Sequence, residues 1–228
     1  MALKGGSVDH DGLVTMFDCG DPMSRRAGLG AAAAAAAAGE LVVMPTDTVY
    51  GIGADAFNAA AVSALLAAKN RGPDMPVPVL VGSWKTIEGL VVAVPPVATK
   101  LVEAFWPGGL SLVVEHAPSL VWDLGDAKGT VMVRMPLHPV ALDLLRSVGP
   151  MAVSSANRSG QPPAVTAGEA HQQLGEQVSV YLDGGPAPIG VASTVVDVTG
   201  EIPVVLRQGA VTLDALREVV GAVRGVDD

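Results

Sequence analysis

The chain of 228 residues carries 14 Lys and Arg against 23 Asp and Glu, a formal charge of −9. In so acidic a chain the place of each cation is informative. Lys69-Asn70-Arg71 puts two cations one residue apart, just ahead of Gly72-Pro73. At a helix C-terminus such charges complement the macrodipole. Lys69, however, continues the apolar face formed by Val62, Leu65 and Leu66, and a cation aimed along a core needs an anion. Ser154-Ser155-Ala156-Asn157-Arg158-Ser159-Gly160 follows a short apolar run. Hydroxyl and amide side chains of this kind form turns whose N–H groups can face an anion, or that cap the next element. Ser193-Thr194 opens one strand, Arg207-Gln208-Gly209 ends the next, and Arg134 ends another. Arginines at strand ends can clamp carboxylates or phosphates with two N–H groups at once. Three polar loops and four basic residues point to a pocket for a phosphorylated or carboxylated ligand.

A further polar stretch, Met44-Pro45-Thr46-Asp47-Thr48-Val49-Tyr50-Gly51-Ile52-Gly53, follows the apolar run Leu41-Val42-Val43. The run reads as a short buried strand. Proline then stops ladder donation, and the two glycines allow either close backbone approach or positive φ. A buried strand ending in polar side chains and glycines suits a ligand floor in an α/β protein; turn chemistry accounts for the same residue types.

Other chemistries fit less well. His10, His116, His138 and His171 are scattered without metal-ligand spacing, so no protein metal site is expected. The single cysteine, Cys19, excludes an internal disulfide and reads as structurally inert. There is no Walker loop and no Gly-x-Gly-x-x-Gly after a strand. The negative charge disfavours a broad nucleic-acid footprint. No apolar run reaches membrane-spanning length and the first residues lack a leader pattern, which predicts a cytoplasmic protein with no membrane partner.

The elements that must hold these residues alternate. The alanine-rich stretch Ser24 to Ala38, stopped by Gly39, predicts a helix ahead of the strand at Leu41. Asn58 caps a second helix over Ala59 to Asn70. Further helices are predicted at Trp84 to Leu90, Pro95 to Phe105, Pro139 to Ser147, Thr166 to Leu174 and Leu213 to Val223. Strands are predicted at Leu110 to Glu115, Thr130 to Met135, Met151 to Ser154, Val178 to Leu182, Thr194 to Val198 and Val204 to Arg207. Val77 to Val81 contains Pro78 and reads as an edge or irregular strand. Interleaved helices and strands with short links indicate α/β layering, and successive strands near the C-terminus indicate a mixed sheet. Residues 1–20 are read as a loose N-terminal extension and 21–228 as one domain.

Taken together, the motifs resemble the YrdC-like threonylcarbamoyl-AMP synthases, in the short, single-domain form. The resemblance runs from about Leu41 to Gly209. It is carried by Pro45-Thr-Asp-Thr-Val-Tyr-Gly-Ile-Gly, Lys69-x-Arg71, Trp106-Pro-Gly-Gly-Leu-Ser-Leu, Thr130-Val-Met-Val-Arg-Met-Pro, Ser155-x-Asn157 with Ser159-Gly160 and Pro162, Ser193-Thr-Val-Val-Asp and Arg207-x-Gly209. Each is weak alone; all of them in this order are specific.

The resemblance implies a twisted, open, mixed α/β sheet flanked by helices, with a positively lined cavity. It implies ATP, L-threonine and bicarbonate or CO2 as substrates, and threonylcarbamoyl-AMP and pyrophosphate as products. The product would pass to a separate transferase complex that modifies an adenosine in tRNA. By motif, Thr48, Arg134 and Ser193 correspond to threonine contacts. Arg71, Thr130, Ser155, Asn157 and Arg207 correspond to ATP contacts, with Lys69 facing the phosphates. Lys69 and Arg71 are the residues expected to act in catalysis. Val153 and Pro163, flanking the Ser-x-Asn turn, sit where the family lines threonine and ATP respectively. Mg2+ is expected with ATP by analogy. Met75 and Leu80 depart from the family pattern, which has Lys or Asn at the first and, in some members, His at the second. Two other readings remain: a non-catalytic nucleotide- or RNA-binding paralogue, and a carbamoyl-transfer module of the kind found in larger hydrogenase-maturation proteins.

Overall fold

The computed structural model describes residues 14–72, 76–120 and 122–226. Its strands are β1 (Thr15–Asp18), β2 (Val42–Met44), β3 (Gly51–Asp55), β4 (Val79–Leu80), β5 (Leu110–Glu115), β6 (Thr130–Arg134), β7 (Met151–Ser155), β8 (Val180–Asp183), β9 (Thr194–Asp197) and β10 (Val204–Arg207). Its helices are α1 (Pro22–Ala37), α2 (Ala59–Ala68), α3 (Pro96–Phe105), α4 (Pro139–Val148), α5 (Ala167–Leu174) and α6 (Leu213–Val220). Among the described residues the ten strands form one sheet, in the order β1-β8-β2-β3-β7-β4-β6-β5-β9-β10. The sheet is mixed, as expected: β2, β3 and β7 pair antiparallel, while β4 and β6 pair parallel.

Period-2 alternation divides the core between the two faces of this sheet. On β2, Val42 and Met44 belong to one apolar cluster and Val43 to the other. The first cluster is closed by α1 and α4, through Ala32, Ala35, Ala36, Leu144 and Leu145. The second is closed by α2, α3, α5 and α6, through Val62, Leu65, Leu101, Ala170 and Leu216. Helices on both faces make this an α/β layer architecture. The alanine tract suits its place, because small side chains let α1 lie close on the sheet. Among the described residues no helix is long and apolar enough to cross a membrane.

Three expectations are corrected. Within the segment read as a loose extension, Thr15–Asp18 forms β1, which pairs in parallel with β8; residues 1–13 lie outside the described residues. The glycine-bearing stretch after Tyr50 is not a turn but the strand β3. A Cβ at Gly51 would stand 2.6 Å from Val153 Cγ1, so close packing against β7 explains that glycine, and positive φ does not. Finally, β4 is an interior strand rather than an edge, seated between β7 and β6. Pro78 is tolerated because it lies just before the two-residue strand and only its carbonyl is used, accepting from Val153 N at 2.8 Å. The short helix expected from Trp84 is present over Trp84–Gly89, as a 3-10 helix. Cys19 is buried and its thiol is pushed up to about 11 by burial, in keeping with an inert residue.

Candidate functional site

The polar loops converge on one cleft of about 160 Å³, open to solvent. Its wall takes Thr46 and Thr48 from the stretch after β2, Arg71 from beyond α2, and Ser111 from β5. Met132 and Arg134 come from β6, Val153 to Ser155 from β7, Ser193 from the start of β9 and Arg207 from the end of β10. Leu80, one of the departures from the family pattern, also lines it; Met75 lies outside the described residues. Three guanidinium groups thus meet serine and threonine hydroxyls. Among the described residues that line the cleft there is no carboxylate.

Arg134 is 6% exposed and is gripped on three sides. Its Nε donates to Gly108 O at 2.8 Å, Nη1 to Thr48 Oγ1 at 2.9 Å and Nη2 to Asp47 Oδ1 at 2.6 Å. Burial pulls its pKa down; the Asp47 carboxylate opposes that shift. Thr48 is held in turn, its hydroxyl 3.1 Å from Thr46 Oγ1 and its carbonyl accepting from Gly190 N at 2.9 Å. The loop that supplies Gly190 is anchored by Tyr50, whose hydroxyl donates to Gly185 O at 2.6 Å and accepts from Gly184 N at 3.1 Å.

Arg207 crosses to the neighbouring strand. Its Nε and Nη2 donate to Ser193 O at 3.1 and 2.9 Å, and Nη2 also reaches Ser193 Oγ at 3.0 Å. Ser193 Oγ lies 2.9 Å from Ser111 Oγ. Gly209 permits this crossing, since a Cβ there would run into the Ala192 carbonyl. Burial, and then the charge of Arg71, lower the Arg207 pKa. Arg71 Nη1 donates to Ser154 Oγ at 3.2 Å.

Lys69 behaves differently from the expectation that it faces phosphates. It is only 2% exposed, at the C-cap of α2, and its Nζ donates to Ser155 O, to Asn157 O at 2.7 Å and to Asn157 Oδ1 at 3.4 Å. Its backbone carbonyl accepts from Ser159 N at 3.0 Å. Asn157 completes the turn, with Nδ2 donating to Arg158 O at 3.0 Å and Gln161 O at 2.8 Å. Lys69 and Asn157 therefore stand behind the wall and shape the Ser155 turn. Burial, and then Arg71, push the Lys69 pKa down to about 8.

Of the residues expected at the site, the structure brings Thr48, Arg71, Arg134, Val153, Ser155, Ser193 and Arg207 to the cleft. Thr130 faces the adjoining depression, which shares Pro76 and Met132 with the cleft. Pro163 is exposed and does not line the wall. Sequence reasoning missed Ser111 and the part played by Asp47. Both lie inside motifs it had singled out, and a serine among apolar strand residues is the signal that could have found the first.

A family model described as Telomere recombination, for Sua5, YciO and YrdC proteins, matches residues 34–209. The chain therefore belongs to the Sua5/YciO/YrdC family. It is 65% identical over 209 residues to a Mycobacterium tuberculosis protein provisionally named threonylcarbamoyl-AMP synthase, across 92% of this chain and 96% of that one. It is 39% identical over 194 residues to the threonylcarbamoyl-AMP synthase of Bacillus subtilis, across 83% of this chain but 56% of the relative. Among solved structures, Pyrococcus abyssi Sua5 complexed with L-threonine matches at TM-score 0.86 and 34% identity, across 93% of this chain and 62% of that one. YciO of E. coli matches at TM-score 0.78 and 21% identity, across 90% of this chain and 100% of that one, a likeness of fold.

Proposed function

We propose that this chain joins L-threonine, bicarbonate or CO2, and ATP into L-threonylcarbamoyladenylate, a nucleotidyl transfer that releases pyrophosphate. The observation that carries this reading is the meeting of Arg71, Arg134 and Arg207 with serine and threonine hydroxyls on one cleft. Named relatives such as the Bacillus subtilis threonylcarbamoyl-AMP synthase support it.

In this reading the amine of threonine adds to the carbon of CO2 and loses a proton, giving a carbamate; starting from bicarbonate, that proton instead leaves with the bicarbonate hydroxyl as one water. A carbamate oxygen then attacks the α-phosphorus of ATP. The bond to the oxygen bridging to the β-phosphate breaks, and pyrophosphate leaves with the electron pair. No side-chain nucleophile is needed. The chain must hold two anions together, offset their repulsion and exclude water from a short-lived carbamate. Arg134, Thr48 and Ser193 take the threonine end, beside Val153. Arg71, Ser155 and Arg207 take the nucleotide, with Thr130 toward its far side, while Lys69 and Asn157 act by shaping the turn. Guanidinium and hydroxyl groups do not make a metal cage, and among the described residues no three His, Cys, Asp or Glu are grouped so that they could hold a metal ion. Mg2+ in this reading arrives on the triphosphate, and no step is assigned to it. The adenylate would pass to a separate transferase acting on tRNA.

The test is pyrophosphate release from ATP with threonine and bicarbonate supplied together and each omitted in turn. Release is expected only with all three. Release that continues without threonine would overturn the reading.

A further inference from the structure

Asp47 is 3% exposed and lies behind the cleft, not in its wall. Its Oδ1 accepts from Arg134 Nη2 at 2.6 Å and from Leu137 N at 2.9 Å, while Oδ2 is buried without a hydrogen-bond partner. The carboxylate is fixed from its own backbone too, since Ile189 N donates to Asp47 O at 3.1 Å. A guanidinium has five N–H groups. In Arg134 three are spent on Gly108 O, Thr48 Oγ1 and Asp47 Oδ1, leaving one on each terminal nitrogen. Arg134 and Thr48 line the cleft and Asp47 does not, so the carboxylate grips the guanidinium from the side away from the ligand.

We propose that Asp47 is a positioning residue, which orients Arg134 so that its two remaining N–H groups meet the carboxylate of the amino-acid substrate. The inference rests on the threonine-end reading of Arg134 given above. It makes a distinction that charge alone would not. As a mere counter-ion, Asp47 weakens carboxylate binding, and its neutralisation would tighten it. As a positioning group it strengthens binding, because two-pronged recognition depends on direction.

The experiment is calorimetric titration of the wild type, Asp47→Asn and Asp47→Glu with L-threonine, with L-threoninamide and with ATP. For Asp47→Asn the expected result is about a ten- to hundredfold loss of threonine affinity, the span of a lost charge-assisted hydrogen bond. ATP affinity should stay near the wild-type value. The preference for threonine over its amide should shrink, a change that general loosening of the fold would not produce. Asp47→Glu keeps the buried charge balanced, and so supplies a folded protein where Asp47→Asn unfolds. Its carboxylate is displaced by one methylene, and it too should lose threonine affinity. Equal or tighter threonine binding by folded Asp47→Asn, or wild-type binding by Asp47→Glu, would overturn the proposal while leaving the functional reading intact. A wild type that does not bind threonine would overturn both.

Discussion

Lys69 and Arg134 are both cations buried to within a few per cent of full burial, yet they are stabilised by different means. Arg134 faces a carboxylate, Asp47, together with a carbonyl and a hydroxyl. Lys69 is held by oxygens of the 155–157 turn, all of them carbonyl. An ion pair confers direction and sets a buried charge against its opposite. Carbonyl dipoles satisfy three ammonium donors but leave the charge uncompensated. The difference matches the position of each. Arg134 lines the cleft, where aim matters. Lys69 stands behind a turn whose shape it fixes, and there three donors matter more than direction.

Three outcomes would break or sharpen that contrast. The largest effect belongs to Arg134→Ala. It strands the Asp47 carboxylate in the interior, and breaking a buried pair from one side costs about 3–5 kcal/mol. Chemical denaturation should show a loss in that range, and Arg134→Ala with Asp47→Asn should recover part of it. A loss below about 1 kcal/mol would mean that the pair is not a buried one in solution.

Lys69→Met should cost less, about 1–3 kcal/mol, because it leaves neutral carbonyl oxygens unsatisfied rather than a charge. ATP affinity should fall with it as the Ser155 turn loosens, while threonine affinity changes little. Equal losses at both ends, measured by the same titrations, would deny that the two cations serve separate parts of the cleft.

The smallest effect is a slope with pH. Burial pushes the Lys69 pKa down to about 8 from an ordinary 10.5. Between those values the unfolded chain binds more protons than the folded one, so the lysine contribution to stability rises with pH through that window. Below about pH 8 both states are protonated and the cost of burying the charge is present in full. The stability gap between wild type and Lys69→Met should therefore move in favour of the wild type from pH 8 to 9, by less than about 1.4 kcal/mol. A flat profile would mean that carbonyl donation alone holds the ammonium as firmly as Asp47 holds Arg134.

Much of the site was legible because its chemistry is carried by residue types placed at element ends. Arg134 and Arg207 close strands, and Ser155 and Ser193 adjoin them, so alternation and turn signals located all four. The inward aim of Lys69 followed from its helix face. What it meets did not, because the Ser155 and Asn157 carbonyls are backbone groups that every residue possesses. Asp47 was hidden for a related reason. Between two threonines after a proline it reads as turn chemistry, and only the arrival of β6 beside it makes it a counter-ion. β3 was lost because two glycines in five residues suppress strand propensity, while the close approach that requires them lies across the sheet.

The order of strands has a kinetic consequence. Asp47 meets Arg134 across 87 residues of chain and Lys69 meets Ser155 across 86. Gly51 pairs with Ser155 and Thr15 with Val180. Pairings so far apart must each close a long loop before they gain any contact energy, which slows folding and leaves little for an early fragment to hold. A nascent chain that ends before β7 has Arg134 and Asp47 but neither the oxygens that clamp Lys69 nor the second partner of β3. The cleft therefore comes into being only when almost the whole chain is present, and occupancy by a ligand reports completion of the fold rather than of any one piece of it.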